Sequence, residues 1–353
     1  MYKRSLCERN DGKAWSGQGT IQGMAASSSD QAAHADPLSL ETQVGTIAVI
    51  GGGSIGTAFA LLFAAAGRTV RVQDVDATRR SAILPTIAGR LADLRQFGLT
   101  REPIDAILAR LTVVEEPAAA AEGADYVQEC APEDLELKRA LFARLDQLAR
   151  PDAILASASS AIPASRIAED LPGRNRCLVV HPGNPPYLVK VAEVVPAPFT
   201  DEGVIARTEA LLRQAGMTPI RVRREVEGFV FNRLQGALLR EAYCLVRDGV
   251  ASVEDIDRLV RDGLGLRWSV IGPFETADLN TRGGIAAHAQ KLGPAYARMG
   301  AERGQHDPWT PDLVAKVEGE RRQHLPLDAW EERVAWRDRE MMRLLAHRRA
   351  DRS

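Results

Sequence analysis

The stretch "TIAVIGGGSIG", residues 46–56, constrains this chain more than any other. A short β-branched run feeds directly into glycines at 51, 53 and 56. "TAFALLFAAAG" then continues with helical character to Gly67, a good C-terminal stop. In the pattern GxGxxG between a strand and a helix, Gly51 permits the tight turn. Gly53 lets the backbone approach a pyrophosphate, and Gly56 lets helix and strand pack closely. The first helical residues, Ser54 and Ile55, offer free N–H groups and the positive end of the helix dipole to phosphates. "TVRVQD" reads as the next strand and ends on Asp74. A carboxylate there accepts hydrogen bonds from both adenosine ribose hydroxyls and repels a 2′-phosphate, so NAD is expected rather than NADP. Arg79 and Arg80 lie just beyond and keep that choice open. An FAD protein shares the fingerprint, but its usual further motifs are not evident.

The rhythm continues. "LTVVEE", "ADYVQEC", "AILASAS" and "CLVVH" read as strands separated by helical stretches such as "LELKRALFARLDQLA". "VAEVVP", the helix "DEGVIARTEALLRQAG" and the strand "TPIRVRR" follow. Strand alternating with helix implies a mainly parallel sheet covered on both faces. After Glu227 the pattern turns helical, in "FNRLQGALLREAYCLVRDG", "SVEDIDRLVRDGLG" and "AWEERVAWRDREMMRLLAHRR". The expected fold is α/β, a Rossmann-type doubly wound sheet over residues 44–226, followed by an all-α domain over 227–353. Residues 1–43, rich in Gly, Ser, Ala and Gln, read as a disordered extension, with Met24 as an alternative start.

The bulk numbers exclude several classes. A formal net charge of -2 gives no field favouring nucleic acid or an anionic membrane. No apolar run approaches the ~20 residues that a spanning helix needs. The four cysteines lie far apart with no CxxC pair, which argues against zinc or a redox dithiol and suits a reducing, cytoplasmic setting.

In open α/β sheets, ligands gather beyond the carboxyl ends of the strands. "ADYVQECAPEDLELK" brings Glu129 and Lys138 to that rim, "ILASASSAIP" brings Ser159 and Ser160, and "CLVVHPGNPPY" brings His181 and Asn184. Glu193 stands in the apolar run "VAEVV", where an unpaired carboxylate is costly to bury. The His181 imidazole is its obvious partner, and such a pair fixes the tautomer and stabilises the protonated ring of a general base. Singly, each of these residues fits a bland role: a turn histidine, serines bonding local backbone, a solvated glutamate. Their joint placement on one rim favours function.

These residues resemble the 3-hydroxyacyl-CoA dehydrogenase superfamily. The glycine loop, "QECAPEDLELKRALFARLD", "ASASS", "HPGNPP" with Glu193, and "EGFVFNRLQ" carry the resemblance from about residue 45 to the C-terminus. "HPGNPPY", "DGLGLRWSVIGPFETADLN" and "AWRDREMMRLL" look most like its lambda-crystallin or L-gulonate 3-dehydrogenase branch. The resemblance implies that His181 takes the hydroxyl proton with Glu193 orienting it. It implies that Ser160 and Asn232 hydrogen-bond the substrate oxygen, and that Glu129 and Lys138 lie near the nicotinamide. It also implies a homodimer formed through the helical domain. Many relatives carry asparagine-threonine where this chain has Ala158-Ser159.

Arg267, in the glycine-rich connection "DGLGLRWSVIGP", presents a planar fork suited to a carboxylate. The resemblance implies that it holds the free acid of a gulonate-type substrate, with a surface arginine capping a helix end as the equal alternative. No lysine occurs between Lys13 and Lys138 to grip the 3′-phosphate of CoA, yet Arg90, Arg95, Arg101 and Arg110 keep that ligand open. The expectation is NAD-dependent oxidation of the 3-hydroxyl of a small hydroxy acid. Alternatives are a 3-hydroxybutyryl-CoA dehydrogenase, an L-carnitine dehydrogenase with Trp268 and Tyr187 as walls of an aromatic cage, and a non-catalytic NAD-binding crystallin.

Overall fold

A computed structural model describes residues 45–304, apart from 270, 282 and 283, together with scattered positions between 312 and 347. The N-terminal extension and most of the C-terminal tail lie outside the described residues.

The first half alternates as the sequence suggests: β1 (Thr46–Ile50), α1 (Ser54–Ala65), β2 (Thr69–Gln73), α2 (Ala77–Gln96), α3 (Ile104–Leu108), β3 (Leu111–Val114), α4 (Pro117–Ala121), β4 (Tyr126–Glu129), α5 (Leu135–Leu148), β5 (Ile154–Ser157), α6 (Ala164–Ala168) and β6 (Cys177–Pro182). Then come β7 (Val191–Pro196), α7 (Glu202–Gln214) and β8 (Thr218–Arg221). The eight strands form one sheet in the order β3-β2-β1-β4-β5-β6-β7-β8. Chain direction from the centre reverses between β1 and β4, the switch point beyond which a ligand crevice opens.

The central strands β4, β5 and β6 are buried along their whole length, with apolar layers on both faces of the sheet. Phe59, Phe63, Ile83, Leu91 and Leu211 from α1, α2 and α7 cover one face, and Ala120, Phe142, Leu145 and Ile167 from α4, α5 and α6 cover the other. Met342, near the C-terminus, is buried in the first of these layers, and the Arg343 guanidinium lies over the Phe97 ring.

Only β6 and β7 pair antiparallel. The prolines between them leave too few residues for a crossover helix, so the chain returns directly. The return has a chemical consequence: the register sets His181 opposite Glu193.

Beyond β8 the described residues are helical: α8 (Phe231–Arg247), α9 (Val253–Arg258), a π-helical turn over Leu259–Leu264, α10 (Gly265–Trp268), α11 (Pro273–Leu279) and α12 (Gly284–Arg303). From Val253 to Trp268 the chain is continuously helical. The stretch holding Arg267 is therefore not the glycine-rich connection the sequence suggests. Gly263 is absorbed into the wide π turn and Gly265 opens α10, where a Cβ on it would meet the Val260 carbonyl oxygen at 2.8 Å.

Candidate active site

The glycine loop is built as its spacing demands. Gly51 adopts φ +101°, and a Cβ there would lie 2.7 Å from the Cys130 carbonyl oxygen. A Cβ on Gly56 would fall 1.8 Å from the Gly51 carbonyl oxygen, so helix and loop touch only because both are glycine. Gly53 differs, since a Cβ there would meet nothing within 4 Å. It faces open space at the mouth of α1, where a pyrophosphate would come to rest.

Like α3, α4, α6, α7 and α8, α1 has no side-chain cap. Its first N–H groups are left to a ligand.

Asp74 is buried just past β2 and accepts from the backbone N–H groups of Gly52 and Asp76 at 2.8 and 2.9 Å. Arg79 approaches the same carboxylate to 3.8 Å. Asp74, Gly51, Gly53 and Arg79 line a cleft of about 410 Å³, closed on its far side by Pro132 and Leu141. Its polar edge and apolar wall fit the ribose and adenine of a dinucleotide.

His181 Nδ1 lies 2.7 Å from Glu193 Oε2, and both side chains are buried. Among the described residues no partner approaches Nε2. The other Glu193 oxygen, Oε1, accepts from the backbone N–H groups of Val230 and Phe231 at 2.7 and 2.9 Å, at the start of α8. Burial pushes this carboxyl up, but the hydrogen bonds from His181, Phe231 and Val230 outweigh it and hold Glu193 below the usual carboxylate range. Getting both N–H groups onto one oxygen bends the preceding backbone. Gly228 takes φ +73°, and the buried Phe229 takes φ +47°, a left-handed conformation unusual for a large side chain. The rings of Phe229 and Phe231 lie 5.7 and 6.2 Å from that of His181.

One residue further along, Asn232 donates from Nδ2 to the Ser160 carbonyl oxygen at 3.0 Å. Ser160 and Asn232 are thus joined, and the helical region meets the strand-end rim through them.

Glu129, at the end of β4, and Lys138, on α5, form an ion pair. Both are fully buried, with Lys138 Nζ 2.8 and 3.0 Å from the two Glu129 oxygens. Ser157 Oγ and the Ala131 N–H complete the Glu129 shell.

The group that does reach the surface is Glu133, which sequence reasoning missed. Its Oε1 accepts from Ser159 Oγ at 2.6 Å and from the N–H groups of Ser160 and Ala161 at 3.0 and 3.1 Å. Its other oxygen lies 3.7 Å from Lys138 Nζ. Standing just before the Asp134 cap, it resembles any acidic residue at a helix start; only the lysine on the same helix hinted at more.

Arg267 is exposed on α10 and donates to Asn280 Oδ1 at 3.3 Å. None of the hydrogen bonds around His181 or Ser160 includes it. Tyr187 is buried, with the Arg90 guanidinium 5.4 Å from its ring centroid. Cys130, at the cleft, has a thiol pushed well above its ordinary pKa by burial and by the neighbouring Glu129. Among the described residues no cluster could hold a metal ion, and no helix is long and apolar enough to cross a membrane.

Comparison with known proteins agrees with this geometry. Residues 46–226 match the 3-hydroxyacyl-CoA dehydrogenase NAD binding domain, and residues 228–324 match the C-terminal domain of the same family. The chain is 39% identical over 304 residues to a lambda-crystallin homolog of Bos taurus, covering 85% of this chain and 94% of that protein. It is 35% identical over 281 residues to an L-carnitine dehydrogenase of a Pseudomonas species, covering 78% and 84% respectively. Among solved structures, the NAD+-dependent dismutase 5-formyl-3-hydroxy-2-methylpyridine 4-carboxylic acid 5-dehydrogenase superposes with a TM-score of 0.74 at 25% identity, covering 86% of this chain and 97% of the other.

Proposed function

Because the chain belongs to the 3-hydroxyacyl-CoA dehydrogenase family, in its lambda-crystallin branch, and is an NAD-dependent oxidoreductase acting on a CH–OH group, we propose that it oxidises the 3-hydroxyl of a small free hydroxy acid such as L-gulonate. In this reading residues 44–226 carry the cofactor, and residues 227–353 close over the substrate and form a homodimer.

Bound NAD supplies a hydride acceptor at its nicotinamide. The chain's own residues do the remaining work. His181 Nε2 accepts the proton of the substrate hydroxyl, and Glu193, held anionic by Val230 and Phe231, stabilises the imidazolium that results. The Ser160 hydroxyl and the Asn232 amide hold the substrate oxygen as it becomes a carbonyl. Glu133 anchors the loop that presents Ser160.

The observation that carries the free-acid reading is the commitment of the α2–β3 arginines. Arg90 donates to Thr57 and lies over Tyr187, and Arg110 is paired with Glu102 and the Ala64 carbonyl. Of the four arginines open to a CoA 3′-phosphate on sequence grounds, two are turned inward. Carnitine and the pyridine carboxylic acid named for two relatives are free acids as well. The buried Tyr187 weakens the carnitine alternative, because its ring is covered by Arg90 and a trimethylammonium group wants open aromatic faces.

The test is the initial rate of NADH formation with L-gulonate, 3-hydroxybutanoate, L-carnitine and 3-hydroxybutyryl-CoA at equal concentrations. Turnover confined to free acids supports the reading, and preference for the thioester overturns it. Arg267→Ala adds a second arm. If Arg267 clamps the carboxylate, KM for the free acid rises by about tenfold, as for a lost charged hydrogen bond. An unchanged KM leaves Arg267 as a helix-end residue bonded to Asn280.

A further inference from the structure

Arg90 stands on α2, away from the His181–Glu193 pair, yet it touches the first turn of α1, just after the glycine loop, and the segment that follows His181. The geometry assigns it a positioning role: Arg90 ties the pyrophosphate loop to the loop that carries the base. The base half of this inference rests on the role proposed for His181; the cofactor half does not.

On the cofactor side, Arg90 Nη1 donates to Thr57 Oγ1 at 2.9 Å. With its lone pair so engaged, the Thr57 hydroxyl turns its own proton to the Gly53 carbonyl oxygen at 2.9 Å, with the Ser54 carbonyl at 3.2 Å. Gly53 is the residue whose missing side chain opens the mouth of α1. Thr57 is buried, so this hydrogen-bond chain is shielded from water and held in one arrangement.

On the other side, the guanidinium carbon lies 5.4 Å from the centroid of the buried Tyr187 ring. Tyr187 closes the proline-rich segment that follows His181, and that segment is tied together by its own hydrogen bonds. The N–H groups of Leu188 and Val189 both bond the Pro185 carbonyl, and Gly183 N–H bonds the Val191 carbonyl. A Cβ on Gly183 would come within 2.4 Å of Val189 Cγ1. Anchoring Tyr187 therefore anchors the backbone leaving the His181 strand.

Arginine suits this place because its planar fork can donate at one edge while its face covers an aromatic ring. A lysine ammonium reaches one partner or the other. The spacing so fixed is that between cofactor and base, and displacements of about 1 Å at that spacing cost on the order of 100-fold in rate.

The experiment uses the full chain with two readouts: NADH affinity by fluorescence titration, and kcat on whichever free acid is turned over. Thr57→Val is expected to weaken NADH by about three- to tenfold with little change in kcat, and Thr57→Ser, which keeps the hydroxyl, to restore affinity. Tyr187→Leu is expected to lower kcat by about tenfold with NADH affinity unchanged. Arg90→Met is expected to show both losses, and Arg90→Lys to recover at most one. Wild-type NADH affinity and kcat in folded Arg90→Met would overturn the assignment. Should Arg90→Met not fold, Thr57→Val with wild-type NADH affinity, or Tyr187→Leu with wild-type kcat, would do so. If no free acid is turned over, the substrate reading fails, while the NADH titrations still decide the cofactor half.

Discussion

The strand-bearing region and the helical region treat their surfaces in opposite ways. Between residues 46 and 222, charged groups that leave water are matched: Glu129 with Lys138, Arg176 with Asp146, His181 with Glu193. The helices after residue 230 leave large apolar side chains in the open, among them Leu266 at 66% and Phe274 at 79% exposure, with Leu234, Val250 and Leu259 similar. Buried ionic pairs specify one arrangement only if every member is satisfied. Apolar patches of this kind mark surfaces made to be covered. The exposed apolar side chains of the second region are the basis for proposing a homodimer.

The contrast can be broken at several points. His181→Ala should lower kcat by about 10²–10⁴-fold while leaving NADH affinity nearly intact, because a general base contributes that much and does not touch the glycine loop. Steady-state rates alongside NADH titration check this, and parallel losses in both would show that His181 is structural. Glu129→Gln should destabilise the folded chain by roughly 3–5 kcal/mol in urea unfolding, since it strands the buried Lys138 charge. A shift near zero would mean that the pair is not buried in solution. Asp74→Ala should raise KM for NAD about tenfold and narrow the preference over NADP. If neither constant moves, the ribose assignment fails. The smallest effect is expected from Phe274→Asp. NADH affinity should stay as in the wild type while sedimentation velocity shifts from dimer to monomer; a wild-type chain that already sediments as a monomer would remove the proposed partner surface.

All eight strands were legible because each is a short apolar or β-branched run closed by turn residues, a local signal. Glu193 was legible for a different reason: a carboxylate embedded in "VAEVV" has to find a partner, and the antiparallel return of β7 supplies it by register. What escaped depends on contacts between distant segments. Glu133 looks like an ordinary helix-start acid until the Ser159–Ala161 loop folds onto it. Arg90 reads as a surface charge until Thr57 and Tyr187 close around it. The π turn at Leu259–Leu264 could not be foreseen from glycines that usually signal a loop. Nor does any local pattern reveal that Phe229 takes a left-handed backbone so that α8 can donate to Glu193.

Glu193 carries the most pH-dependent weight. Its carboxyl is held below the usual range, so it stays anionic through neutral pH. Its stabilising contribution is present above the ordinary carboxylate pKa and is lost as pH falls through the depressed value.

The most direct test of the His181–Glu193 pair as the catalytic base is the comparison of kcat and NADH affinity in the wild type and Glu193→Gln. The expected result is a kcat lowered by about 100-fold with NADH affinity unchanged. An undiminished kcat in folded Glu193→Gln would contradict the account.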